Sequence, residues 1–182
     1  MTAAELHRCL RESLKAFDPE REGQALRLLL EQGSAEHFLV DLLFIRLHAD
    51  GHMVSREFPV GERCASDLAL HGSVTLHIEA KQLHLKDGCR YAPPNLAKDL
   101  SRYGASPCLG ILYLLDERAS RSSLALPRFA GANRRARHEP ASVVAELPTF
   151  FGTVFPASLE DALLREFAGD GGVRLYGFVV GL

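Results

Sequence analysis

ASDLALHGSVTLHIEAKQL, residues 65–83, decides how the rest of the chain is read. Two runs of alternating side chains flank a turn signal at Gly72-Ser73. In a strand, residues two apart share a face, so Glu79 and Lys81 project together while Ile78 and Ala80 face the other way. The face that Asp67 joins depends on the turn, because a one-residue slip in register reverses every side chain. A two-residue turn pairs Asp67 with Ile78 and separates the acids. A three- or five-residue connection pairs Asp67 with Glu79, and it also sets Leu68 and Leu70 against Leu76 and Ile78. The apolar pattern favours this second register, which places two carboxylates beside an amine.

Working upstream, MVSREFPV (53–60) alternates in the same way, so the three runs predict a meander divided by Gly61 and Gly72. Before it, Ser34 is placed to cap a helix, SAEHFLVDLLFIRLHA, closed by Asp50-Gly51. Glu36 falls on the face of that helix that carries Val40, Leu43 and Leu47, and an acid on an apolar face needs a partner. The N-terminal segment reads as a helix with Leu6, Cys9, Leu10 and Leu14 on one face. A second helix is expected from Asp18-Pro19 to Gly33.

Downstream, Pro93-Pro94 introduces a short amphipathic helix, NLAKDLSRYG, and LGILYLL reads as a fully buried strand. From Asp116 to His138 the apolar pattern weakens, which predicts a loop. Ser158 then caps an expected helix, LEDALLREFAG, and VRLYGFVVGL forms a last strand. The whole predicts a single α/β domain: a helical extension (1–33), a core bearing the acids (34–116), a basic loop (117–140) and a C-terminal helix and strand (141–182).

The 182 residues are 47% hydrophobic, enough to bury a core without crosslinks. A net charge of -2 excludes a protein that coats nucleic acid by bulk positive charge. The charge is uneven, however. Arg118, Arg121, Arg128, Arg134, Arg135 and Arg137 stand against Asp116 and Glu117, giving this loop +4 and leaving -6 for the rest of the chain. Cys9, Cys64, Cys89 and Cys108 are too far apart for a zinc ribbon or redox pair and read as reduced thiols. The N-terminus lacks the apolar run of a signal peptide and no membrane-length apolar stretch occurs, so a cytoplasmic protein without membrane contact is expected.

Converging carboxylates suit Mg2+, a hard cation that takes oxygen ligands and keeps several waters; Mn2+ can stand in for it. A lysine beside them would hold or activate an attacking water. The combination points to phosphodiester hydrolysis.

Ser66-Asp67, an eleven-residue gap and Glu79-Ala80-Lys81 resemble the PD-(D/E)XK motif of the restriction-endonuclease-like superfamily. The similarity spans roughly residues 34–116, with Ser66 where the name-giving proline would stand. The resemblance implies a core of helix, three-strand meander, helix and strand, which is the order read above. It also implies Asp67 and Glu79 as metal ligands, joined by the Ala80 carbonyl, Lys81 as the residue acting on water, and Glu36 as an acid near the metal. Gln82 stands where several branches of the superfamily place a glutamine that meets substrate.

The expected function is therefore a Mg2+-dependent nuclease acting on DNA ahead of RNA, as a homodimer or within a larger complex. Lys98 and Arg102, four apart on the helix after the motif, are expected to face outward and grip a phosphate backbone. Arg134, Arg135 and Arg137 are expected to clamp it. Two alternatives share the fold: an inactive nucleic-acid-binding or protein-interaction module, and a toxin or defence nuclease subunit. Simpler structural roles compete residue by residue. Glu79 and Lys81 could be an exposed ion pair, and Glu36 could serve only the helix dipole. Glu57, His71 and His77 could be ordinary sheet surface.

Overall fold

The structure is a computed structural model that describes residues 1–15, 35–60, 64–84, 92–116, 140–167 and 173–182. The second expected helix, the cap at Ser34 and the arginine-rich loop lie outside these residues. Leu6, Cys9, Leu10 and Leu14 are all buried along helix α1 (Ala3–Lys15), as their spacing predicts. Helix α2 (Ala35–Ala49) ends at Gly51, whose φ of 84° suits a residue without a Cβ.

Strands β1 (Met53–Pro59), β2 (Ala65–His71) and β3 (Leu76–His84) form the expected antiparallel meander. Helix α3 (Ala92–Ser101), with Pro93 and Pro94 in its first turn, carries the chain across to β4 (Cys108–Asp116), which runs parallel to β3. Next come α4 (Pro140–Glu146), a 3-10 turn (Leu147–Thr149), β5 (Thr153–Phe155), α5 (Leu159–Ala162), β6 (Leu163–Phe167) and β7 (Val173–Gly181).

The result is an α/β fold with a mixed seven-stranded sheet in the order β1-β2-β3-β4-β7-β5, with β6 also paired to β7. Each face of the sheet has its own core. Leu68, Leu70, Ile78, Ala80, Ile111 and Tyr113 pack under α1 and α2. Leu83, Leu112, Leu114 and Phe178 pack with Leu96 and Leu100 of α3 and with Val143 and Leu147. Gly110 lets α3 settle closely on the sheet: a Cβ there would stand 2.8 Å from Val180, 3.0 Å from Leu96 and 3.1 Å from Leu100.

The C-terminal third departs from the expectation of one helix and one strand. Ser158 does cap a helix, accepting a hydrogen bond from the Asp161 N–H, but the helix ends after one turn at Ala162. Leu163–Phe167 then pairs antiparallel with β7. Leu, Arg and Glu favour helix locally, yet the open edge of β7 offers a ladder and a buried place for Leu164, and pairing prevails.

Candidate active site

The register of β2 on β3 is Leu68 with Ile78, Ala69 with His77 and Leu70 with Leu76. One step further this places Asp67 opposite Glu79. There the two strands part, and β3 runs on to His84 with β4 on its other side. N–H groups on the flank that β2 leaves need acceptors. Asp67 Oδ2 accepts from the Ala80 N–H at 2.7 Å, and Glu36 Oε2 accepts from the Gln82 N–H at 2.8 Å. A strand residue's carbonyl leaves on the same side as its N–H, so the Ala80 carbonyl faces this fork as well.

Glu79 is buried, 6% exposed, and its Oε1 accepts a hydrogen bond from the Tyr103 hydroxyl. Burial pushes the Glu79 carboxyl up to about 7; the Tyr103 bond opposes the rise, and the neighbouring Asp67 carboxylate adds to it. Burial also raises Glu36, partly offset by Lys81 and the Gln82 N–H. The same burial and the bond to Glu79 keep the Tyr103 phenol protonated.

Lys81 reaches out from the same face of β3. Its Nζ lies 3.9 Å from Glu36 Oε1 and 3.5 Å from Asp99 Oδ2 of α3. Burial works against the ammonium, but Glu36, Asp67, Asp99 and Glu79 outweigh it and hold Lys81 above the ordinary lysine value. The lysine is thus a fixed cation among acids. Glu36 from one side of the sheet, Asp99 and Tyr103 from the other, and Asp67 in its plane converge on one edge of β3.

Asp67, Glu79, Lys81, Glu36, Ala80 and Gln82 therefore come together. Lys98 is exposed on α3. Arg102 lies past the end of α3, is also exposed, and its Nη1 pairs with Asp99 at 2.8 Å. Arg134, Arg135 and Arg137 lie outside the described residues, as does Cys89. Cys9, Cys64 and Cys108 are free thiols. Glu57 is exposed on β1, with φ 48°, opposite the place where β2 carries Asp67. His71 bonds Ser55, with Nε2 2.8 Å from Oγ, and His77 Nδ1 lies 3.3 Å from Ser66 Oγ.

Sequence reasoning missed Tyr103 and Asp99. Asp99 sits beside Leu96 and Leu100 on the buried side of α3, and that helical spacing was the available signal.

The donor set is hard and oxygen-rich, and it places two carboxyl groups together in a buried setting, with Glu79 pushed toward neutrality by burial and by Asp67. Oxygen donors of this kind are the type that hard divalent cations take. Among the described residues, no group of three or more His, Cys, Asp or Glu side chains is arranged to hold a metal ion. Among the described residues, no helix is long and apolar enough to cross a membrane. No protein-family model, no curated protein and no solved structure matches the chain.

Proposed function

We propose that this chain is a Mg2+-dependent nuclease with a restriction-endonuclease-like core, hydrolysing phosphodiester bonds in DNA ahead of RNA. The observation that carries the reading is the fork between β2 and β3. Asp67, Glu36 and Glu79 each have one oxygen committed to a fixed donor, and Lys81 is held beside them.

Asp67 and Glu79, with the Ala80 carbonyl, would hold the ion, and Glu36 would hold a second one or the water around the first. When bound, Mg2+ would polarise the phosphoryl oxygens and offset the charge that builds on them. Lys81 orients the attacking water through its ammonium, which the surrounding carboxylates keep charged. The fixed donors on the acids would keep their remaining oxygens oriented within the fork between β2 and β3. Gln82 on β3 and the exposed Lys98 on α3 would meet the substrate backbone.

A second reading, an inactive module that binds nucleic acid or protein, draws on the ion pairs of Lys81. A lysine shared between Glu36 and Asp99 also serves as a structural clip between α2 and α3. The deciding experiment incubates purified protein with supercoiled DNA, linear DNA and RNA, with Mg2+ or with EDTA. Mg2+-dependent cleavage lost in both Asp67→Asn and Lys81→Ala supports the nuclease. DNA binding without cleavage under every condition supports the module.

A further inference from the structure

We infer that Tyr103 is the positioning residue for Glu79: its hydroxyl, braced by stacking on His77, fixes the direction in which the Glu79 carboxylate faces the fork. The inference rests on the nuclease reading and adds a residue outside its acid and lysine set.

Tyr103 is 4% exposed and stands in the turn just after α3, where both of its backbone groups are engaged. Its N–H donates to the Leu100 carbonyl at 3.1 Å, and its carbonyl accepts from the Ser106 N–H at 3.0 Å. Gly104 follows with φ 59°, a conformation that costs a side chain energy and lets the turn close directly after the ring. The ring stacks on His77, with centroids 4.9 Å apart and planes 26° apart. His77 in turn lies within reach of the buried Ser66 hydroxyl.

Backbone and ring are thus anchored independently of Glu79, and the hydroxyl is carried on them. Glutamate has three rotatable side-chain bonds, and a carboxylate with one oxygen pinned by a rigid donor keeps its other oxygen aimed in one direction. Glu79 stands opposite Asp67 one step beyond the last register pair of β2 with β3, so the carboxylate faces the fork there.

The test compares full-length wild type, Tyr103→Phe and His77→Leu, with Mn2+ alone as the probe, followed by calorimetry and Mn2+ spin resonance. Thermal unfolding of the metal-free proteins is measured alongside. Partners that orient a metal ligand typically change affinity by 10–100-fold, so Tyr103→Phe is expected to weaken Mn2+ binding by about 10-fold or more with unfolding little changed. His77→Leu keeps the hydroxyl and loses the brace, and a smaller loss is expected. Unchanged Mn2+ affinity in Tyr103→Phe, with the wild type binding normally, overturns the positioning role and leaves the nuclease reading standing. If Tyr103→Phe does not fold, His77→Leu decides by the same measure. Absence of Mn2+ binding by the wild type overturns both.

Discussion

The two flanks of β3 are built on opposite plans. Toward β4 the strand has eight register pairs, His77 with Cys108 through His84 with Leu115, and its neighbours there are mostly apolar. Toward β2 it has three, and then carboxylates take over the work of a strand. Lys81 shows the contrast within one residue: its register partner on β4 is the fully buried Leu112, while its side chain ends among Glu36 and Asp99. A complete ladder gives stability and leaves nothing to bind with. An interrupted one exposes backbone groups that must be satisfied, and the acids that satisfy them retain further oxygens for a ligand.

If the flanks divide stability from chemistry, substitutions on each should fail in different assays. Leu112→Ala, on the ladder side, should cost ~2–5 kcal/mol in urea unfolding through the cavity it leaves. A loss well below 1 kcal/mol would mean that this side is less tightly packed than its burial implies. Lys81→Ala, one step across the ladder, should lower cleavage by at least ~100-fold, the usual scale for removing a positioned catalytic group, with the fold retained. Circular dichroism and a plasmid assay on the same preparation separate the two outcomes.

Glu79 sharpens the comparison through pH. The folded protein holds its proton up to about 7, whereas the unfolded chain releases it near the ordinary 4.5. This contribution to stability is therefore full below pH 4.5 and is lost as pH rises through 7, so metal-free protein should weaken across that window. Mg2+ affinity should rise over the same range, since the ion takes the deprotonated form. Glu79→Gln should remove the stability slope and abolish cleavage together. Urea titrations in EDTA from pH 4 to 8 would show it, and a slope unchanged in the variant would assign the effect to another group.

The smallest effect expected is that of Glu36→Gln. Its amide oxygen can still accept from the Gln82 N–H, so stability should move by no more than ~1 kcal/mol. A larger loss would show that the charge facing Lys81, rather than the cap on the strand, is what holds α2 to the fork.

Much of this fork could be read in advance because apolar alternation fixes register: Leu68 and Leu70 can meet Leu76 and Ile78 only if Asp67 meets Glu79. Glu36 was legible for the same reason, as an acid where the helix pattern wanted an apolar residue. Tyr103 was not, because its partner lies 24 residues away and nothing local marks a tyrosine that ends a helix as a donor. Lys98 and Arg102 drew attention as cations four apart, while Asp99 between them faces the site and captures Arg102. Strand β6 was hidden by its own composition, since LLREF satisfies a helix until the neighbouring β7 edge is known.

The amides of Ala80 and Gln82 bear on timing. Their acceptors lie 13 and 46 residues away in the chain, and the tyrosine that holds Glu79 arrives only after α3 has crossed the sheet. A chain that ends before α3 lacks the tyrosine that holds Glu79. Long-range contacts of this kind form late, because loop closure must precede them. The fork is therefore complete only once the chain from Glu36 to Tyr103 has folded together. Slow hydrogen exchange at those two amides would be the sign that a given molecule has reached that state.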